Sequence, residues 1–103
     1  MRRRRRGRRG RFPIQPRIGA RPKASVMTPE PKAADVPIQL DLAEIEVLRL
    51  IDLEGMYQEE AGEAMGFSRG TVWRLLQDAR EKVVRAIFEG RPLVIGEPEQ
   101  ERT

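Results

Sequence analysis

Neither cysteine nor histidine occurs in the 103 residues of this chain. That inventory excludes disulfides, zinc knuckles, thiolate clusters and histidine-based catalysis. No apolar run approaches the roughly 18 residues needed to span a bilayer, and the arginines at the start are followed by no apolar signal-peptide segment. The expectation is a cytoplasmic protein with no membrane partner. Hydrophobic residues make up 39% of the chain, which is little for a core. One domain with tails is what this length supports, near the lower size for independent folding, and a homodimer is a candidate state.

Charge is plentiful and unevenly placed. Residues 1–32 carry ten Arg and two Lys against Glu30 alone, a net of +11, while residues 33–103 carry 8 basic and 15 acidic residues, a net of −7. The basic excess is concentrated in Arg2, Arg3, Arg4, Arg5, Arg6, Arg8, Arg9 and Arg11. This run has no apolar residue after Met1 and cannot bury itself, so the expectation is disorder in the free chain. It is either a solvated tail or an arm that neutralises phosphates and releases their counterions. Between Phe12 and Pro37 lie six of the eight prolines, which bar helix and predict an extended, semi-rigid spacer.

Helical periodicity begins near Asp41, where Asp41 and Glu44 have capping-box spacing. Leu42, Ile45, Leu48 and Ile51 fall on one face, Val47 and Leu50 widen it, and Glu44, Glu46 and Asp52 are expected toward solvent. Gly55 is placed to end that helix. A second helix starts near Gln58, poorly capped by Tyr57 but with Glu59 and Glu60 in its first turn, where the helix dipole favours them.

Gln58 to Gln77 holds the chain's most informative pattern. Gly66 can take the positive φ that ends a helix at a corner, Ala61 and Gly62 permit a close crossing, and Ser68 is a natural N-cap for a third helix. From there Val72, Leu75, Leu76, Ala79, Val83, Ala86 and Ile87 form one buried stripe, which places Gly70, Trp73, Arg74 and Gln77 on the opposite side. The spacing matches a helix-turn-helix, whose second helix enters the major groove by its N-terminal residues. An ordinary helical hairpin with a solvated face is the plainer reading. Gly90 is the expected stop, Val84 and Phe88 are expected to face outward, and Glu97, Glu99 and Glu101 read as a solubilising tail.

The stretch EIEVLRLIDLEGMYQEEAGEAMGFSRGTVWRLLQDAREKV resembles the prokaryotic proteins grouped as uncharacterised protein family 0251, or domain of unknown function 134. The likeness covers about residues 40–95 and is strongest in LRLIDLEG, YQEEAGEAMGFSR and AREKV. It implies a DNA-binding core similar to region four of bacterial sigma factors. Members of that family commonly have Gln where this chain has Gly70 and a small residue where it has Trp73, so base preference does not carry over. Many also have a cysteine in the basic segment, which this chain lacks.

Together these readings predict an all-α fold: a three-helix helix-turn-helix core with an extended, largely disordered basic N-terminal arm. Residues 1–37 are the arm and linker, 38–90 the DNA-binding domain, and 91–103 a short extended segment and acidic tail. The candidate DNA-binding residues are Ser68, Arg69, Gly70, Thr71, Trp73, Arg74 and Gln77, with the arm arginines as phosphate contacts. Ser68 and Thr71 offer hydroxyls at a helix N-terminus, Arg69 a grip on phosphate, Arg74 a guanidinium fork for guanine, and Gln77 an amide for adenine. Trp73 either lies against DNA or packs on the arm.

Glu59, Glu60 and Glu63 lack a neighbouring His, Cys or phosphate loop and read as a solvated face. No catalytic site, metal or cofactor is expected. The partner expected is double-stranded DNA. Structured RNA bound by the arginine run, or RNA polymerase bound by a sigma-like module, are the alternatives.

Overall fold

The capping box at Asp41 forms as its spacing predicts. The Asp41 carboxylate accepts from the Glu44 N–H at 2.9 Å, and Glu44 Oε1 accepts from the Asp41 N–H at 3.0 Å. Helix α1 (Leu42–Leu48) starts there and widens into a π-helical turn, Arg49–Leu53. That turn closes with a bond of 2.8 Å from the Glu54 N–H to the Arg49 carbonyl, and Gly55 follows with positive φ. Helix α2 (Gln58–Met65) has half a capping box, the Tyr57 N–H donating to Glu60 at 2.8 Å, with no side-chain cap from Tyr57 itself. Helix α3 (Arg69–Glu89) is the longest element at 21 residues.

The computed structural model describes residues 15–96. The arginines from Arg2 to Arg11, the apolar Phe12 and Ile14, and the acidic tail at Glu97, Glu99 and Glu101 lie outside the described residues.

Ala43, Val47 and Leu50 from the first helical stretch, Ala61 and Met65 from α2, and Val72, Leu75 and Leu76 from α3 make the core, each at most 4% exposed. Burying a Val, Leu or Met side chain contributes about 1.5–3 kcal/mol, so this triangle of helices is the main source of stability. The buried face of α1 is centred differently from expectation. Leu42, Ile45, Leu48 and Ile51 are only half-buried, because Ala43 and Val47 point at α2 and α3 and the π turn rotates Leu50 inward.

Three features of the rest of the chain correct or extend the expected fold. First, it is not all-α. Strands β1 (Val26–Met27), β2 (Ile38–Leu40) and β3 (Leu93–Ile95) form a three-stranded mixed sheet in the order β1-β3-β2. β3 is antiparallel to β1, with Val26 opposite Val94, and parallel to β2, with Ile38 opposite Leu93 and Leu40 opposite Ile95. Strands of two or three residues leave no readable alternation, and their pairing joins segments far apart in sequence. Yet Ile38 and Leu40, at 6% and 1% exposure, extend the core beneath α3.

Second, the spacer that the prolines predict is extended over its described residues, and it is bonded to the core along its path. Ile95 donates to the Ser25 carbonyl at 2.9 Å, the Ala33 and Ala34 N–H groups share the Gly90 carbonyl at 3.0 and 3.2 Å, and Arg91 donates to the Val36 and Pro37 carbonyls. Proline bars helix, as expected, but leaves an extended chain free to bond other elements.

Third, Glu44 and Glu46 are not on a solvent face; they are 0% and 3% exposed. Glu44 meets Lys82 of α3 at 2.7 Å, and Glu46 holds Arg49 by two bonds of 2.8 and 3.0 Å. Charges of this kind are buried only with partners; Lys82 and the Gly19 N–H, which also bonds Glu46, come from elsewhere in the fold, while Arg49 lies one turn along. At the far end of α3, Gly90 stops the helix as expected and Val84 and Phe88 are outward at 50% and 85% exposure. Ile87, assigned to the buried stripe, is 70% exposed, because the core beneath α3 ends at Ala86. Among the described residues, no helix is long and apolar enough to cross a membrane.

Candidate nucleic-acid interface

The corner between α2 and α3 consists of Gly66, Phe67 and Ser68. Gly66 stands at φ 81°, the left-handed region that glycine enters without strain, and donates to the Gly62 carbonyl at 2.8 Å. Gly62 is needed for a different reason: a Cβ there would lie 2.7 Å from the Phe67 carbonyl oxygen. Its bareness lets the turn fold back on α2, which is a tighter role than the helix crossing assigned to it from sequence.

Ser68 caps α3 in extended conformation, its Oγ accepting from the Thr71 N–H at 3.2 Å. The two hydroxyls, Ser68 Oγ and Thr71 Oγ1, are hydrogen-bonded to each other at 3.0 Å. Val72, Leu75, Leu76 and Ala79 turn inward at 2% exposure or less. Their packing fixes the rotation of α3 and therefore what its other side presents.

That other side carries the expected ridge. Gly70, Trp73, Arg74 and Gln77 are all exposed; Trp73 is 52% accessible and a Cβ at Gly70 would meet open space. Among the described residues Arg74 has no ion-pair partner. Arg69 stands beside the ridge and meets Glu59 of α2 at 3.6 Å, with both side chains at least 70% exposed. A pair so long and so wet is weak and leaves the guanidinium available.

The cations farther along α3 are engaged. Arg80 forms a two-pronged bridge to Asp52 at 2.7 and 3.2 Å, Lys82 meets Glu44 and the Gln39 carbonyl, and Arg85 spans Glu81 and Glu89 at 2.6 and 3.1 Å. The Arg80 hydrogen bonds, and secondarily its charge, hold the Asp52 carboxyl below its ordinary range against slight burial. At Glu46, burial favours the neutral acid, but hydrogen bonds from Arg49 and the Gly19 N–H, with the Arg49 charge, outweigh it and hold the carboxyl low. Glu59, Glu60 and Glu63 are exposed, Glu59 facing Arg69 and Glu60 capping its own helix.

One residue near this corner was not singled out from sequence. Arg17 lies against the carbonyl end of α2, donating from its backbone N–H to Met65, from Nε to Ala64 and from Nη2 to Glu63 at 3.1, 3.1 and 2.7 Å. The signal available was indirect: α2 has no basic residue in its last turn, so its carbonyls needed donors from outside the helix.

Comparison with known proteins agrees with the resemblance read from the motifs. The family described as "Protein of unknown function DUF134" matches residues 1–103. A UPF0251 protein of Pyrococcus horikoshii is 51% identical over 85 residues, covering 82% of this chain and 73% of that protein. One from Archaeoglobus fulgidus is 45% identical over 78 residues, 76% of this chain and 74% of the relative. A Thermococcus kodakarensis relative is 48% identical over 84 residues, 82% of this chain, and the match spans 63% of its length. No solved structure gives a match.

Proposed function

Starting from a chain that belongs to the DUF134 family, whose members' names state no activity, we propose that it is a sequence-specific DNA-binding protein that regulates transcription. The observation that carries this reading is the ridge of Gly70, Trp73, Arg74 and Gln77, exposed at the N-terminal end of a helix whose opposite side is packed from Val72 to Ala79. In a helix-turn-helix, that end of the second helix reaches base edges. Arg74 offers the fork that matches guanine O6 and N7, and Gln77 the amide that matches adenine. The Thr71 hydroxyl and Arg69 meet phosphates on either side of the capped N-terminus, where the helix dipole favours anions. Specificity comes from the ridge, and much of the affinity from the arm arginines, which neutralise phosphates without regard to sequence.

Selecting bound fragments from a pool of random duplexes tests this directly, since a regulator of this kind recovers one motif. Arg74→Ala should then reduce discrimination at a single base pair by about 1–3 kcal/mol. Removing Met1 to Arg11 should instead weaken binding to every duplex and flatten the dependence of affinity on salt. Equal loss of specificity in the two variants contradicts this division of labour, and recovery of no motif by the intact chain contradicts the reading itself.

A further inference from the structure

The four carbonyls that end α2 are all satisfied, and by an unusual division. Gly62 accepts from the N–H groups of Gly66 and Phe67 at 2.8 and 2.9 Å, inside the turn itself. The other three, Glu63, Ala64 and Met65, accept from the single residue Arg17. A helix leaves its last four carbonyls without internal partners, and a cation there also meets the negative end of the dipole. The guanidinium is so close to the corner that a Cβ on Gly66 would lie 3.1 Å from Nη1.

A second tie follows two residues later. The Gly19 N–H donates at 2.9 Å to Oε2 of Glu46, the buried carboxylate that Arg49 also holds. The fit is close, since a Cβ on Gly19 would come within 3.0 Å of Arg49 Nη2 and 3.2 Å of Glu46 Oε2. Two anchors this near each other fix both the position and the heading of the chain. They do so beside the corner that leads into the Ser68 cap, with eight arginines still to come on the N-terminal side.

We propose that Arg17 is a positioning residue: by clamping the carbonyl end of α2 it sets the departure point of the arginine arm next to the N-terminus of α3, so that the arm meets nucleic acid in the groove flanking the bases that α3 contacts. This rests on the DNA-binding reading above. Chain geometry permits it, because the 16 residues ahead of Arg17 reach at most about 53–58 Å when extended, more than a full helical turn of B-DNA at about 34 Å. Tethering one ligand-binding segment beside another raises its effective concentration only when the anchor lies within reach of the second site. The clamp supplies that condition.

The absence of native cysteine makes the test clean. Gly7→Cys in the full chain keeps every arginine of the arm and takes a single iron-chelate label, and the positions of oxidative strand cleavage on the selected duplex report where the arm lies. The expected result is cleavage confined to about one helical turn, ~10 base pairs, on one flank of the site. Adding Arg17→Ala should spread that cleavage over both flanks while sequence preference at the bases facing Arg74 is kept. A residue that only stabilised α2 would lower the melting temperature without redistributing the cuts.

Should Arg17→Ala fail to fold, Arg17→Lys keeps the charge and loses the fork, and is expected to broaden the window partially. A folded, DNA-binding Arg17 variant whose cleavage window equals that of the parent overturns the clamp and leaves DNA binding standing. Failure of the labelled parent to bind or cut any selected duplex overturns the DNA reading and, with it, this inference.

Discussion

The two halves of α3 use their cations in opposite ways. From Arg69 to Gln77 the basic side chains are exposed, Arg74 has no ion-pair partner among the described residues, and Arg69 has only a long, solvated contact with Glu59. From Asp78 to Glu89, Arg80, Lys82 and Arg85 are each bound to carboxylates. Net positive charge on a helix is therefore a poor guide to where it binds an anion. What matters is which cations the fold has already neutralised. The second half fastens α3 to α1 and to the π turn; the first half is held in place by that fastening and left uncommitted.

The stripe common to both halves gives the largest expected effect. Leu75→Ala opens a cavity between α3 and its neighbours at a position 2% exposed, and should cost about 2–5 kcal/mol of stability by chemical denaturation. A smaller loss would mean that the rotation of α3 is not fixed by this packing.

Next in size is Lys82→Ala. It leaves the fully buried Glu44 carboxylate without its ammonium partner, and roughly 1–3 kcal/mol should be lost, as when a buried charged group loses one hydrogen-bonding partner. Arg74→Ala is the counterpart on the other half, expected to change stability by no more than about 0.5 kcal/mol. If thermal melts reversed that order, the contrast between the halves would collapse.

The smallest effect concerns Asp52 and pH. The carboxyls of Asp52 and Glu46 both titrate below their ordinary values in the fold. Their contribution is thus fully present above the unfolded-chain values near about pH 4 and is lost as pH falls through the lower folded-state values. Stability followed by circular dichroism should be flat from neutrality to about pH 5 and decline below about pH 4. Asp52→Asn should remove part of that decline and cost no more than about 1 kcal/mol at neutral pH, since the Arg80 bridge is partly solvated. An unchanged acid limb would assign the pH dependence to other carboxylates.

Much of the helical half of this molecule was legible because its signals are local. Asp41 with Glu44, Gly66, Ser68 and Gly90 each report on residues within one helical turn, and each does in the fold what its spacing implies. The outward placement of Gly70, Trp73, Arg74 and Gln77 follows from the same periodicity. The sheet was not legible, because β1 and β3 acquire their identity only by pairing with each other and with β2 across the length of the chain. Glu44 and Glu46 were misplaced for a related reason: a carboxylate reads as solvent-facing until Lys82 is brought to Glu44 and the Gly19 N–H to Glu46 from distant parts of the chain. Arg17 went unnoticed because nothing beside Pro16 and Ile18 announces that its partners lie at residues 63–65.

The most direct test of the central claim is a titration of isotopically labelled full-length protein with a selected duplex, following backbone amide shifts. The account predicts that perturbations concentrate at residues 68–77 of the corner and α3, with residues 81–89 little changed. Perturbations centred on the Glu81, Arg85 and Glu89 surface, with Thr71, Trp73, Arg74 and Gln77 unmoved, would contradict it.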